Sequence, residues 1–153
     1  MPIETVHPNK QVVVDAAKSP VTPIASSMIV SGHLVYLAGA IGEGGRDIKK
    51  HTKQAFKQIE DRLSVIGLDL TDLVNVTIFL GFYDEDFPSM NEAYAELFPE
   101  DGPLKPCRTC VGVAKLPIGT DIEVQAVRLA SALSSLLQDV LTVFARQVAA
   151  KRE

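Results

Sequence analysis

The sequence predicts one α+β domain: six strands in a sheet, two helices on one face of it, and a further helix after residue 130. Three observations lead there. Apolar residues alternate with period two in several short runs, as strands with one buried face require. Two longer stretches between those runs switch to helical spacing. The chain has 153 residues, 46% of them hydrophobic and 22% charged, which suits a single packed core.

Val12-Val13-Val14 predicts the first strand, and Pro20 and Pro23 keep the following segment extended. Met28–Val30 and Leu34–Ala38 read as two strands around the tight turn Ser31-Gly32-His33. Gly39–Arg46 is a glycine-rich loop. Over 48–66, Phe56, Ile59, Leu63 and Ile66 share one helical stripe, and Gly67 suits the C-terminal cap. Leu73–Phe82, rich in β-branched and aromatic residues, predicts the fourth strand. Asp86-Phe87-Pro88 predicts the entry to a second helix with Met90, Tyr94, Leu97 and Phe98 on its apolar face. Cys107–Ala114 and Asp121–Leu129 predict the last strands, joined by a turn at Leu116-Pro117-Ile118-Gly119. The order is therefore β-β-β-α-β-α-β-β.

Beyond Ser131, Leu133, Leu136, Leu137, Val140, Leu141, Phe144 and Val148 recur at helical spacing. Lys151 and Arg152 lie near the end where the helix dipole favours cations. Residues 131–153 thus read as an amphipathic packing helix appended to a domain over 1–130.

Alternation also assigns faces. Val74, Val76, Ile78 and Leu80 suit the helix side, as do Val111, Val113, Ile122, Val124 and Ala126. The opposite side then carries Leu73, Asn75, Thr77, Phe79, Arg108, Cys110, Gly112, Glu123, Gln125 and Val127. Burial against another subunit around a polar pocket would produce this mixture; so would exposure to water.

Several functions find no support. The net charge is -4, and the 15 Lys and Arg residues form no basic run, which argues against nucleic acid. No apolar stretch reaches the roughly 18 residues of a membrane span, and the N-terminus lacks the apolar core of a secretory signal. With two cysteines, the expectation is a reducing cytoplasmic setting, a mitochondrial one staying open. Cys107-Arg108-Thr109-Cys110 spells C-x-x-C, but on a strand its ends face opposite ways. His7, His33 and His51 lack metal-ligand spacing, and the glycines of Gly39–Gly45 spell neither G-x-G-x-x-G nor a P-loop, so neither a metal nor a nucleotide cofactor is expected.

Cys107-Arg108-Thr109-Cys110-Val111-Gly112-Val113-Ala114-Lys115-Leu116-Pro117 resembles the signature of the Rid (YjgF-type) family, commonly Ala-Arg-Ser/Thr-x-Val-x-Val-x-x-Leu-Pro. Asp121–Ala126 is similar to the family's following Ile-Glu strand, and Val74–Leu80 to its Val-Thr-Val-Phe-Leu strand. Met90-Asn91-Glu92-Ala93-Tyr94 resembles its Val-Asn-x-x-Tyr helix, and Gln54-Ala55-Phe56 its Gln-Ala-Leu/Phe helix. The resemblance runs from about Ser19 to Leu129.

It implies a chorismate-mutase-like fold of the bacillary type and a homotrimer with sites at the subunit interfaces. For many members it implies hydrolysis of reactive enamines and imines to 2-oxo acids and ammonia. Arg108 occupies the position of the carboxylate anchor, and a guanidinium gives a carboxylate a planar two-point grip. Glu123 occupies the acidic position that would take a proton from water. Asn91 would support the site, and a backbone carbonyl near Cys110 would help hold the water.

The family's Pro-Tyr-Ser is Pro23-Ile24-Ala25 here, and its Ser-Gly-Gln is Ala38-Gly39-Ala40. Ile24, Ala38 and Gly39 therefore line an expected site that is short of hydroxyls and more apolar. The expected partner is a small imine, enamine or 2-oxo acid. The alternative is a non-catalytic trimer that binds small carboxylates as a sensor or chaperone. Taken alone, an Arg and a Glu on neighbouring strands also read as a structural ion pair.

Overall fold

The computed structural model describes residues 3–7, 10–102 and 104–130. Seven strands form one sheet: β1 Ile3–His7, β2 Lys10–Val13, β3 Met28–Ser31, β4 Leu34–Ile41, β5 Leu73–Leu80, β6 Cys107–Gly112 and β7 Ile122–Leu129. Helix α1, Ile48–Ser64, joins β4 to β5, and α2, Tyr83–Leu97, joins β5 to β6. Across the sheet the strands run β1-β2-β3-β4-β7-β5-β6. Pairing is antiparallel except between β5 and β6. Those two are parallel because α2 carries the chain back across the sheet between them.

The α+β class and the element order are as predicted, with β1 an addition. Asp47 caps α1, its side chain accepting from the Lys50 N–H at 3.1 Å. At the other end Gly67 takes φ +71°. This allows Leu68 N–H to reach Leu63 O, and Gly67 N–H to reach Ser64 O, each at 3.1 Å. Both helices pack on one face. Phe56, Ile59, Leu63 and Met90 are fully buried there against Val76, Ile78, Leu80, Ile122 and Val124. Phe56, Tyr94 and Phe98 close the core as an aromatic cluster with centroids 4.6 to 5.7 Å apart.

Three local expectations are corrected. Helix α2 starts at Tyr83, a turn before Asp86, and holds Pro88 within it at the loss of one backbone donor. Val74 faces outward and Leu73 inward, because the β5–β7 register shifts between Leu73 and Asn75. The faces of β6 are inverted. Val76, Ile78 and Leu80 pair in register with Arg108, Cys110 and Gly112, so these lie on the helix side. Thr109 and Val111 lie on the open side. The helix predicted after Ser131 lies outside the described residues.

Asp86 is buried near Asp121, and burial pushes its carboxyl above the ordinary range despite Arg46, whose Nη2 donates at 3.0 Å. The folded chain thus holds that proton more tightly than the unfolded chain does. The contribution to stability is present below the ordinary carboxylate pKa and is lost as pH rises through the raised one. Urea unfolding of Asp86→Asn should therefore show the variant gaining on wild type between about pH 3 and pH 7. A loss over that interval would mean that pairing with Arg46 outweighs burial.

Candidate functional site

The residues singled out by sequence fall into two groups. The first is assembled by the β5–β6 pairing and by α2. Arg108, on edge strand β6, projects to the helix side, where its Nη1 donates to Asn91 Oδ1 at 2.7 Å. Its guanidinium carbon lies 4.7 Å from the centre of the Tyr94 ring. Asn91 and Tyr94 are three residues apart, so one turn of α2 supplies both supports. No carboxylate pairs with Arg108 among the described residues. A neutral amide and a ring face orient the guanidinium without neutralising it.

Cys110 follows two residues on and faces the same way, half-buried against the core. Burial pushes its thiol pKa up, and Arg108 only partly offsets this, so Cys110 is a poor nucleophile. Sequence reading placed Tyr94 on the apolar face of α2, and the structure adds a contact with Arg108. Tyr94 packs in the core, 8% exposed, and also presents its ring to the cation. Its signal was its position one turn after Asn91.

The second group lies on the open face. Leu37 pairs with Ala126 and Ala40 with Val124, which leaves Ala38 and Gly39 together opposite Gln125. This is a β-bulge. Glu123, on the open side of β7, lays its carboxylate over it: a Cβ on Gly39 would sit 1.9 Å from Glu123 Oε1. Glycine here is what leaves room for the carboxylate in this position. Gly39→Ala should fold, since the tip of a side chain can swing aside, yet displace the carboxylate. We expect about a tenfold loss of any turnover that depends on Glu123, read in the imine assay described below with the melting temperature as control.

Ile24 tops the loop closed by Thr22 N–H to Ala25 O at 2.8 Å and is 94% exposed. That loop leads into Ser27, whose carbonyl accepts the Ala38 N–H at 3.0 Å.

The two groups do not meet within one chain. Glu123 is opposite Phe79 on β5 and Arg108 is opposite Val76. Three residues along and two strands across put their Cα atoms about 14 Å apart by strand geometry. Their side chains also leave opposite faces, so the structural ion pair between Arg108 and Glu123 is ruled out.

Comparison with known proteins agrees with this arrangement of motifs. The profile of the Endoribonuclease L-PSP family matches residues 16–129. A RutC family protein of Pyrococcus horikoshii is 37% identical over 118 residues, 72% of this chain and 90% of its own. A protein of Dermatophagoides farinae named 2-iminobutanoate/2-iminopropanoate deaminase is 31% identical over 127 residues, 78% of this chain and 95% of its own. Among solved structures, yeast Mmf1 superposes with a TM-score of 0.71 at 26% identity, covering 80% of this chain and 99% of its own. Escherichia coli TdcF with bound serine gives 0.67 at 25% identity, covering 78% and 98%. With the signature strand, the Asn91 helix and the sheet order all in place, the chain belongs to the Rid (YjgF, endoribonuclease L-PSP) family.

Proposed function

We propose that the chain is a hydrolytic deaminase of small 2-imino or 2-enamino acids, working as a homotrimer whose sites are completed across subunit interfaces. The observation that carries the reading is Arg108. It is a cation held flat by Asn91 and Tyr94 and left without a carboxylate among the described residues, which is what a site for an anionic ligand needs. Relatives named as 2-iminobutanoate/2-iminopropanoate and reactive intermediate deaminases give the anion its class.

Two features favour assembly. Arg108 and Glu123 leave opposite faces of one chain, so a site that uses both needs a second copy. Tyr36, Val111 and Leu129 expose 39 to 47% of their surface. Sheet pairing places them on the open face, and apolar side chains there suit burial against a neighbour.

The reaction then runs on few groups. Arg108 grips the substrate carboxylate and fixes the imine carbon relative to the bulge of the adjoining subunit. Glu123 accepts a proton from water as its oxygen bonds to that carbon, giving a tetrahedral carbinolamine. That proton passes to nitrogen, the hydroxyl gives its own proton to Glu123 as the C–N bond breaks, and ammonia leaves with a 2-oxo acid as the second product. Ile24 and Ala38 replace hydroxyl-bearing residues, so the preferred side chain is apolar.

The experiment is a coupled assay in which an amino-acid oxidase or a pyridoxal-phosphate dehydratase generates imines from several amino acids. Faster 2-oxo acid release with wild type, lost in Arg108→Ala, is expected. Equal rates with and without protein across small and bulky substrates would sink the deaminase reading. The missing hydroxyls favour one second reading, a trimer that binds carboxylates without turnover. It would show as saturable binding that Arg108→Ala weakens, in a protein inactive in the assay.

A further inference from the structure

One face of α1 carries three polar side chains at a spacing of four: Gln54, Gln58 and Arg62. Each reaches the backbone beyond the middle of β4. Gln54 Oε1 accepts from Glu43 N–H at 3.0 Å, and Gln58 Nε2 donates to Ile41 O at 2.7 Å. Arg62 donates Nη1 to Ala38 O at 2.7 Å and Nη2 to Gly39 O at 3.4 Å. The helical repeat thus lays a ladder of three rungs along the segment 38–43, and the last rung holds both residues of the bulge.

That rung is the unusual one. An arginine in the last turn of an amphipathic helix ordinarily points to water. Arg62 is instead half-buried, and burial alone pulls its pKa below the usual guanidinium value. Among the described residues it pairs with no carboxylate. A cation desolvated for two carbonyls is a costly way to secure a loop that a neutral amide, like the other two rungs, could hold. It has a use if the bulge must keep one conformation. Fork geometry fixes two successive carbonyls at once, where a glutamine would fix one.

Resting on the deaminase reading, we infer that Arg62 is a positioning residue of the site: by clamping the Ala38–Gly39 bulge, it sets where the Glu123 carboxylate stands. The link is short, because the Gly39 Cα is the surface on which that carboxylate lies. Freed of the clamp, the bulge can rotate its peptides and Glu123 loses its seat, while Arg108 on the far face is untouched. Arg62 therefore acts on the chemical step and leaves substrate grip alone.

The test compares wild type, Arg62→Met, Arg62→Lys and Gln54→Ala by two independent readouts. Amide hydrogen exchange at Gly39 and Ala40 reports the bulge whether or not any substrate is known. Steady-state imine hydrolysis reports kcat and KM. Arg62→Met should speed exchange at those amides about tenfold and lower kcat about tenfold with KM within about twofold. Arg62→Lys should recover part of both. Gln54→Ala, which frees only the Glu43 end, should change neither.

Unchanged exchange in Arg62→Met would overturn the inference, as would faster exchange with unchanged kcat, or a rise in KM alone. If Arg62→Met fails to fold, Arg62→Gln, which keeps one donor, takes its place under the same criteria. A wild type with no imine hydrolysis would refute the deaminase reading and with it the positioning role; the exchange data would still decide whether Arg62 holds the bulge.

Discussion

Arg108→Ala is expected to lower kcat/KM for imino-acid hydrolysis about a hundredfold to a thousandfold, mostly through KM. Truncating one partner of a desolvated charge-assisted pair costs roughly 3–4 kcal/mol, and each 1.4 kcal/mol is about a factor of ten. A carboxylate remote from the bond being broken is held alike in ground state and transition state, so its loss shows mainly as weaker binding. Folding should be unaffected, since Arg108 is exposed and among the described residues bonds only Asn91 and the Tyr94 ring. Arg108→Lys should fall between, because the charge survives and the planar fork does not. Steady-state kinetics beside thermal melts decide it. Equal KM in wild type and alanine variant would remove Arg108 from the site.

Glu123→Gln should act on the other parameter. The amide keeps the shape of the side chain over Gly39 but cannot take a proton from water, and lost general base catalysis is worth about 10²- to 10⁴-fold in kcat. KM should hardly move. The separation of the two residues adds a sharper form of the same experiment. Mixed assemblies of Arg108→Ala and Glu123→Gln chains contain interfaces at which one subunit brings the intact arginine and its neighbour the intact glutamate. Random mixing makes about one interface in four complete, so roughly that share of wild-type activity should return to two inactive parents. A mixture as inactive as its components would show that no site combines the two residues across an interface.

The element order was legible because period two and period 3.6 are strong signals, and the two periodicities seldom overlap in this chain. What failed was parity. Val74 reads as core in Val-x-Val-x-Ile-x-Leu, but one shift of register between β5 and β7 turns it out and Leu73 in. Hydropathy put Val111 inside and Arg108 outside; parallel pairing of Arg108 with Val76 puts them the other way. Sequence cannot supply a pairing register, and on an edge strand the helix side is itself open enough to take an arginine. Pro88 misplaced the start of α2, because a proline reads as a first-turn residue unless an earlier turn, here from Tyr83, is already formed.

Candidate residues were legible through motif resemblance; their division between two faces was not. Arg62 gave no sign at all, since a cation on the polar stripe of a helix looks like any solvated one.

The extra residue in β4 makes chain length at this point a different kind of constraint from residue identity. Removing either Ala38 or Gly39 would restore an even ladder against β7 with Leu37 still opposite Ala126 and Ala40 opposite Val124, so every side chain of β4 would keep its side. Val35 and Leu37, at most 1% exposed, would stay in the core and Tyr36 on the open face; what would go is the pair of successive carbonyls that Arg62 holds and the seat of the Glu123 carboxylate. A single codon deletion here thus spares the core and strikes the bulge alone, whereas replacing Ala38 by another small residue leaves the count intact. Lineages descended from this chain are held to the length of the bulge by what lies over it and not by the packing beneath.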